Sequence, residues 1–256
     1  MQKTEQIALL LDFDGTLTPI ASRPDLPLLA ASPRKILKGL SQGAGVVVGI
    51  ISGRNLRDLR RRVGLQGIYY AGNHGLELQG PGLRFIHPGA AAARPVLLRI
   101  AEELGERLCG VAGVLVENKR FSLSLHLRQL PPSRRSQVQG LFTRTVRPYL
   151  KWGEIRVTRG KLVLEVRPAV DWDKGRAVHL IREQVERGRP PHKLFLCYLG
   201  DDETDEAAFR ALAEDDVAVF VGKPKRASAA SYYLRDPREV EDFLTRLRRL
   251  RASTAA

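Results

Sequence analysis

Residues 7–16 read Ile-Ala-Leu-Leu-Leu-Asp-Phe-Asp-Gly-Thr. Ile7 to Leu11 has the length and apolarity of a buried strand. Asp12 and Asp14 follow at its carboxyl end, where ligands of open α/β sheets bind. Their side chains point the same way from an extended backbone, because side chains alternate with a period of two. Two close carboxylates repel unless a cation or a proton lies between them. Gly15 permits a sharp turn, and Thr16 adds a hydroxyl. The arrangement suits a hard cation, a carboxylate nucleophile and a second carboxyl for proton transfer. An acidic turn after a strand is the plain alternative, and the five-residue Asp-x-Asp-Gly-Thr pattern weighs against it.

The rest of the composition narrows the class. A chain of 256 residues has room for one or two domains. Its 43% hydrophobic and 27% charged residues are ordinary for a globular protein. Cys109 and Cys197 are far apart and lack metal-site spacing, so a reducing cytoplasm is expected. No basic segment precedes the first apolar run, and Asp12 stops it, which argues against a leader or a membrane span. The formal charge is +14. Much of it lies in 54–62 and 246–251, which read as solvated helix faces. Neither run carries interleaved aromatics, so a nucleic-acid partner is disfavoured.

Outward from the first strand, strands and helices alternate. A loop holds Pro24 and Pro27, and Pro33 opens a helix to about Leu40. A strand over 44–51 ends in Ser52-Gly53-Arg54, and 55–63 continue as a helix. A strand over 68–71 ends in Gly72-Asn73-His74-Gly75. This alternation predicts a doubly wound parallel sheet. The pattern then changes to a strand at 83–86, a helix at 94–108, strands at 114–119 and 121–128, a helix at 133–149 capped by Ser133, and strands at 154–158 and 162–167. Helix-strand-strand occurs twice, which predicts an antiparallel sheet backed by two helices. Phe121, Leu123, Leu125 and Leu127 share one face; Ser122, Ser124, His126 and Arg128 share the other. Residues 79–167 are therefore expected to form an inserted α+β cap in an α/β core of 1–78 and 168–256. The core resumes with a helix from Lys174 capped by Asp171 or Asp173. Then come a strand at 194–199, Gly200-Asp201-Asp202-Glu203-Thr204-Asp205, a helix at 207–213, a strand at 217–221 ending in Gly222-Lys223-Pro224, a strand at 231–234 and a helix at 237–250.

Asp12/Asp14, Ser52, Lys174 and Asp201/Asp202 all fall at strand ends or helix starts. Each has an ordinary explanation, as a cap, a surface lysine or an acidic first turn. Together they supply a carboxylate nucleophile, a proton donor, a hydroxyl and an ammonium for phosphate oxygens, and carboxylates for a metal. A carboxylate attacking a phosphate dianion needs such positive charge.

The order DxDGT, Ser, Lys, GDDxTD resembles the four motifs of haloacid-dehalogenase phosphatases. DFDGTLTPI (12–20), SGR (52–54), GNHG (72–75), ENK (117–119), HLR (126–128) and EVRP (165–168) are similar to the trehalose-phosphate phosphatases in particular. Leu127 departs from the aromatic expected there. The resemblance implies a haloacid-dehalogenase-like core with an inserted cap. It implies Asp12 as the nucleophile that becomes an aspartyl phosphate, Asp14 as general acid and base, and Thr16, Ser52 and Lys174 on the phosphate. It implies Mg²⁺ held by Asp12, Asp14, Asp201 and Asp202, with Asp205 in support. It implies Asn73, His74, Glu117, Lys119, Arg128 and Glu165 on the sugar. The expected reaction is Mg²⁺-dependent hydrolysis of trehalose 6-phosphate by a cytoplasmic monomer, with a small sugar phosphate as partner and no membrane. Alternatives are another sugar phosphate such as sucrose phosphate or mannosyl phosphoglycerate, a mutase of the phosphomannomutase type, and a basic nucleic-acid-binding protein that retains the fold.

Overall fold

The computed structural model describes residues 6–43, 45–160, 162–188, 193–223 and 227–253. Ala44 and Pro224, which the sequence reading places at the edge of a strand and in a loop, lie outside them. The elements begin with β1 (Gln6–Leu11), α1 (Ala31–Gln42), β2 (Val46–Ile51), α2 (Leu56–Val63), β3 (Tyr69–Gly72), β4 (Glu77–Gly80) and β5 (Leu83–Ile86). Next come α3 (Pro88–Arg107), β6 (Leu115–Asn118), β7 (Leu123–His126), α4 (Pro132–Lys151), β8 (Ile155–Gly160) and β9 (Val163–Pro168). The chain continues through α5 (Lys174–Arg187), β10 (Leu194–Gly200), α6 (Asp205–Arg210), β11 (Val217–Val221), β12 (Tyr232–Leu234) and α7 (Pro237–Ser253). Two compact units result: Met1–Phe85 with Trp172–Ala256, and Ile86–Asp171.

In the larger unit eight strands form one sheet in the order β12-β11-β10-β1-β2-β3-β4-β5. The pairs from β12 to β3 are all parallel, and β4 runs antiparallel to β3. The apolar runs suit this place because helices cover both faces. Leu9 and Leu11 pack on one side with Ile36, Leu37 and Leu40 of α1 and Leu244 of α7. Ala8 and Leu10 pack on the other with Ala177, Val178 and Ile181 of α5 and Phe209 of α6. The chain leaves β1 toward β2 on one side and returns through β10 on the other. That makes the carboxyl end of β1 the topological switch point of the sheet. The hairpin β4–β5 extends the large sheet, whereas the sequence pattern groups 83–86 with the cap.

In the smaller unit the sheet order is β6-β7-β9-β8, all antiparallel. Leu123, Leu125 and Leu127 pack with Leu97, Ile100 and Leu104 of α3 and Phe142 and Val146 of α4. Both helices start earlier than the sequence suggests. The His87 ring accepts from the Gly89 amide at 3.1 Å, so α3 begins at Pro88 rather than Arg94. Pro132 opens α4, and Pro131, not Ser133, is its cap residue, with no side-chain cap bond. A proline at the first helical position has no N–H to satisfy, so the hydroxyl is not required. For α5 the cap is Asp173, whose carboxylate accepts from the Arg176 amide at 3.0 Å. Helix α6 is short and starts at Asp205 rather than Ala207.

The basic runs are only partly solvated. Arg57, Arg60 and Arg61 are exposed as expected, but Arg54 and Arg62 are buried. Both guanidinium groups grip Asp58, at 3.0 and 2.5 Å. Burial would raise the Asp58 carboxyl's pKa, but the hydrogen bonds and charges of Arg62 and Arg54 outweigh it and hold it low.

Candidate active site

The parallel register brings three strand ends side by side. Leu11 lies between Leu199 of β10 and Ile50 of β2. Asp12, Asp201 and Ser52 therefore leave neighbouring strands at one edge. The Asp12 amide still donates to the Leu199 carbonyl at 2.9 Å, and the Ser52 amide to Ala71 at 2.9 Å. Beyond Asp12 the chain turns tightly. The amides of Leu17 and Thr18 both donate to the Phe13 carbonyl at 3.0 Å, and Gly15 N–H to Thr18 O at 2.7 Å. Gly15 has φ +95°, and a Cβ there would stand 2.1 Å from Asp201 Oδ2. Only glycine meets both demands, so the turn can lie directly against Asp201. Thr16 Oγ1 donates to Asp201 Oδ1 at 3.2 Å.

Lys174, at the start of α5, is 2% exposed. Its Nζ donates to Asp12 Oδ1 at 2.8 Å and to Asp205 Oδ1 at 2.7 Å. Asp205 is completely buried and is the anchor of the group. Its Oδ1 also accepts from Tyr198 Oη at 2.6 Å, and its Oδ2 from the amides of Asp201 and Asp202 at 3.0 and 3.1 Å. Burial works against the Lys174 charge, but Asp12 and Asp205 outweigh it and raise its pKa well above the ordinary lysine value. Burial pushes Asp12 up; Lys174 opposes this, while Asp205, Asp201 and Asp202 add to it. Burial, then Asp205 and Asp202, lift Asp201 to about 7. Asp202 differs. Burial would raise it, but Lys174 and the hydrogen bonds from Thr204 bring it to about 2.

The donor set fits a hard divalent cation. Oxygens of Asp12, Asp201 and Asp205 all lie within 4.8 Å of one another. The Lys174 ammonium contacts Asp12 and Asp205 of this group, and burial together with the neighbouring carboxylates raises Asp12 and Asp201. A bound divalent ion would reverse both shifts. Asp202 and Asp14 stand outside this trio. Asp202 Oδ1 accepts from the Thr204 amide and hydroxyl at 2.7 and 2.6 Å.

Asp14 turns to Arg54. Arg54 Nε and Nη2 donate to its two oxygens, both at 2.6 Å. Ser52 Oγ accepts from the Arg54 amide at 3.2 Å. Asn73 and His74 follow β3 with φ of 49° and 56°, two consecutive left-handed residues without a glycine. Such backbone is strained for a side-chain-bearing residue and clusters at functional sites. Asn73 is completely buried; its amide donates to Arg54 O at 2.7 Å, and its Nδ2 to Glu77 Oε1 at 2.8 Å. The His74 ring lies so close over Gly53 that a Cβ there would be 2.7 Å from Nε2.

In the smaller unit, register aligns Glu117, Ser124 and Glu165 across β6, β7 and β9 on one face of the sheet. Lys119 Nζ donates to Glu165 Oε1 at 3.1 Å, and His126 Nε2 lies 2.8 Å from Glu117 Oε2. Arg128 lies just past the end of β7 and is half-buried. Of the expected cap residues, Lys119 and Glu165 form an ion pair and Glu117 meets His126, along one polar row backed by an apolar face.

The trehalose-phosphatase family model matches residues 10–238. The chain belongs to the trehalose-phosphatase family. A trehalose-phosphate phosphatase of Mycobacterium marinum is 40% identical over 246 residues, covering 94% of this chain and 61% of that protein. A probable trehalose-phosphate phosphatase 3 of Oryza sativa subsp. japonica is 34% identical, over 96% of this chain and 70% of the relative. The chain spans about three fifths of the length of the mycobacterial relatives. Among solved structures, the C-terminal domain of C. albicans trehalose-6-phosphate phosphatase matches with a TM-score of 0.78 at 25% identity, covering 96% of this chain and 93% of that one. A trehalose-6-phosphate phosphatase related protein matches in fold with a TM-score of 0.82 at 23% identity, over 96% and 99% of the two chains.

Three features of this trehalose-phosphatase family member escape a sequence reading. They are the Arg54 grip on Asp14, the Tyr198 contact with Asp205 and the pairing of Glu117 with His126. The signals were present. Arg54 ends the Ser-Gly-Arg stretch, Tyr198 lies in the strand before Gly200, and His126 alternates with Ser124. Nothing in those spacings says which partner each side chain meets. Among the described residues, no helix is long and apolar enough to cross a membrane.

Proposed function

We propose that the chain hydrolyses trehalose 6-phosphate to trehalose and inorganic phosphate, with Mg²⁺ as cofactor and through an aspartyl phosphate on Asp12. The observation that carries this reading is the Asp12–Lys174–Asp205 group beside Asp201 at the switch point of the sheet, in a chain of this family. Asp12 Oδ1 is held by Lys174, which leaves Oδ2 for attack on phosphorus. As the Asp12 Oδ–P bond forms, the ester bond to the sugar oxygen breaks, and Asp14 gives that oxygen a proton. Asp14 then takes a proton from a water molecule. The water oxygen attacks phosphorus and releases the Asp12 carboxylate. Lys174, Thr16 and Ser52 supply donors for phosphate oxygens. Asp12, Asp201, Asp202 and the Asp14 main chain would hold Mg²⁺, with Asp205 anchoring the group. When bound, the ion offsets the repulsion between the phosphate dianion and the carboxylates.

The deciding experiment is phosphate release from a panel of sugar phosphates, with Mg²⁺ and with excess chelator. Trehalose 6-phosphate should be the preferred substrate, chelation should stop turnover, and added Mg²⁺ should restore it. Preference for sucrose phosphate or mannosyl phosphoglycerate would move the substrate; undiminished turnover in chelator would remove the metal.

The polar row of the smaller unit supports recognition of the second sugar. Carboxylates accept from sugar hydroxyls, and Lys119 and Arg128 can donate to them. Binding energy remote from phosphorus can be used to promote the chemical step. Glu117→Ala and Glu165→Ala should each cost about 1–3 kcal/mol of transition-state stabilisation on trehalose 6-phosphate. A small aryl phosphate has no second sugar, so its hydrolysis should be nearly unchanged. Equal losses on both substrates would show these residues acting on folding or on the common chemistry.

A further inference from the structure

Arg54 belongs to a motif stretch that the reaction above leaves without a role. Its side chain is 8% exposed and is held on four sides. Nε and Nη2 grip both oxygens of Asp14, as described. Nη1 donates to the Pro24 carbonyl at 2.7 Å and to Asp58 Oδ2 at 3.0 Å. The guanidinium carbon lies 5.5 Å from the centre of the Phe13 ring, between the two aspartates of the first motif. Asp58 in turn accepts from Arg62 Nε, and Arg62 Nη1 donates to the carbonyls of Asp25 and Pro27 at 3.0 and 2.6 Å. A continuous chain of charge-assisted bonds therefore runs Asp14–Arg54–Asp58–Arg62 and ends on the loop at 24–27.

We infer that Arg54 is a positioning residue for Asp14, and that it ties this carboxyl group to the 24–27 loop and to α2. The inference rests on the reading of Asp14 as the acid and base of the reaction. Both rotational freedoms of a carboxylate are removed by a planar fork on its two oxygens. Asp14 is otherwise a half-exposed residue on a turn and would sample several rotamers. A proton donor out of line with its acceptor loses most of its value, because the catalytic contribution depends on geometry. Anchoring through Asp58 and a main-chain carbonyl makes the fork rigid rather than a mobile surface arginine. A lysine in this place would keep the charge but not the two-point grip.

The test uses wild type, Arg54→Gln, Arg54→Lys, Asp14→Asn and the Asp14→Asn/Arg54→Gln double variant. Steady-state kinetics on trehalose 6-phosphate are measured well below the lowest Tm of the set. Arg54→Gln should lower kcat by about 10–100-fold, the usual effect of losing an orienting partner, with KM within about threefold. Arg54→Lys should recover part of kcat. In the Asp14→Asn background Arg54→Gln should cost less than about threefold more, because the group it positions is already gone. An unchanged kcat in Arg54→Gln would overturn the inference. So would the same fold-loss in both backgrounds, or a loss confined to KM, which would put Arg54 on the substrate itself. If Arg54→Gln does not fold, Arg54→Lys carries the same comparison in both backgrounds. Full activity in Asp14→Asn would instead sink the acid–base reading, whatever Arg54 does.

Discussion

Asp12→Asn should lower phosphate release by at least about 10⁴-fold, since an amide oxygen cannot form the phosphoryl ester and loss of a nucleophile is rarely compensated. The variant should also fold. The carbonyl oxygen of the new side chain still offers Lys174 an acceptor, and Lys174 keeps Asp205 at 2.7 Å. A signed stability effect accompanies the loss. Burial and three neighbouring carboxylates hold the Asp12 pKa above its ordinary value. A raised folded pKa means that the native state binds the proton more tightly than the unfolded chain. Stability from that group is present below about pH 4 and is lost as pH rises through the folded value. Above the folded value the ionised side chain is therefore a cost, and the neutral isostere removes it. In excess chelator the Tm of Asp12→Asn should equal or exceed that of wild type. In Mg²⁺ the order should reverse, because a ligand that binds only the native state stabilises the form that binds it better. Differential scanning fluorimetry with and without Mg²⁺ reads both halves. A folded Asp12→Asn enzyme with comparable turnover would remove Asp12 as nucleophile. A large fall in Tm in chelator would mean that the Asp12–Lys174 pair supports the fold more than the carboxylate cluster burdens it.

The strand ends were legible because each apolar run is closed by a residue that cannot continue it. Asp12, Ser52 and Gly200 mark three such ends, and parallel pairing then makes their order in the sheet sufficient to bring them together. The polar and apolar faces of β7 were legible from strict alternation over 121–128. Partner choice was not. Arg54 reads as one of the arginines of the basic run 54–62, a solvated face. What buries it is Asp14, forty residues earlier in the chain and on the far side of a strand crossover. Asp205 reads as one acid in a helix's first turn, favoured there by the dipole. It is a buried anchor because Tyr198 and two amides converge on it, a convergence that exists only after β10 has turned into α6. The helix starts were missed for a local reason, since Pro88 and Pro132 open helices without the hydroxyl cap that the eye seeks.

Lys174 carries the second large effect, because its loss should damage both chemistry and fold. Its Nζ is the cation between Asp12 and Asp205, in a site where all three groups are at least nine-tenths buried. Removing one partner of such a set leaves uncompensated buried charge, which typically costs about 3–5 kcal/mol. For a chain of this size that is a fall in Tm of about 6–20 °C. Turnover of Lys174→Met should fall by about 10²–10³-fold or more, the range for removing one preorganised donor to a developing charge. The pH dependence separates this account from simple loss of packing. Burial already raises Asp12 and Asp205, and Lys174 opposes it in both. Without the ammonium both carboxyls should bind protons at still higher pH in the native state. Raised folded values give stability that is present at low pH and lost as pH rises. The Tm deficit of Lys174→Met relative to wild type should therefore be smaller near pH 5 than near pH 8. Methionine fills a similar volume, so a packing defect alone would give a deficit independent of pH. Mg²⁺ should also raise the Tm of the variant by more than that of wild type, as it supplies the charge that was removed. A deficit that is flat with pH and insensitive to Mg²⁺ would show that Lys174 serves the core as an aliphatic stem and not as the cation of the site.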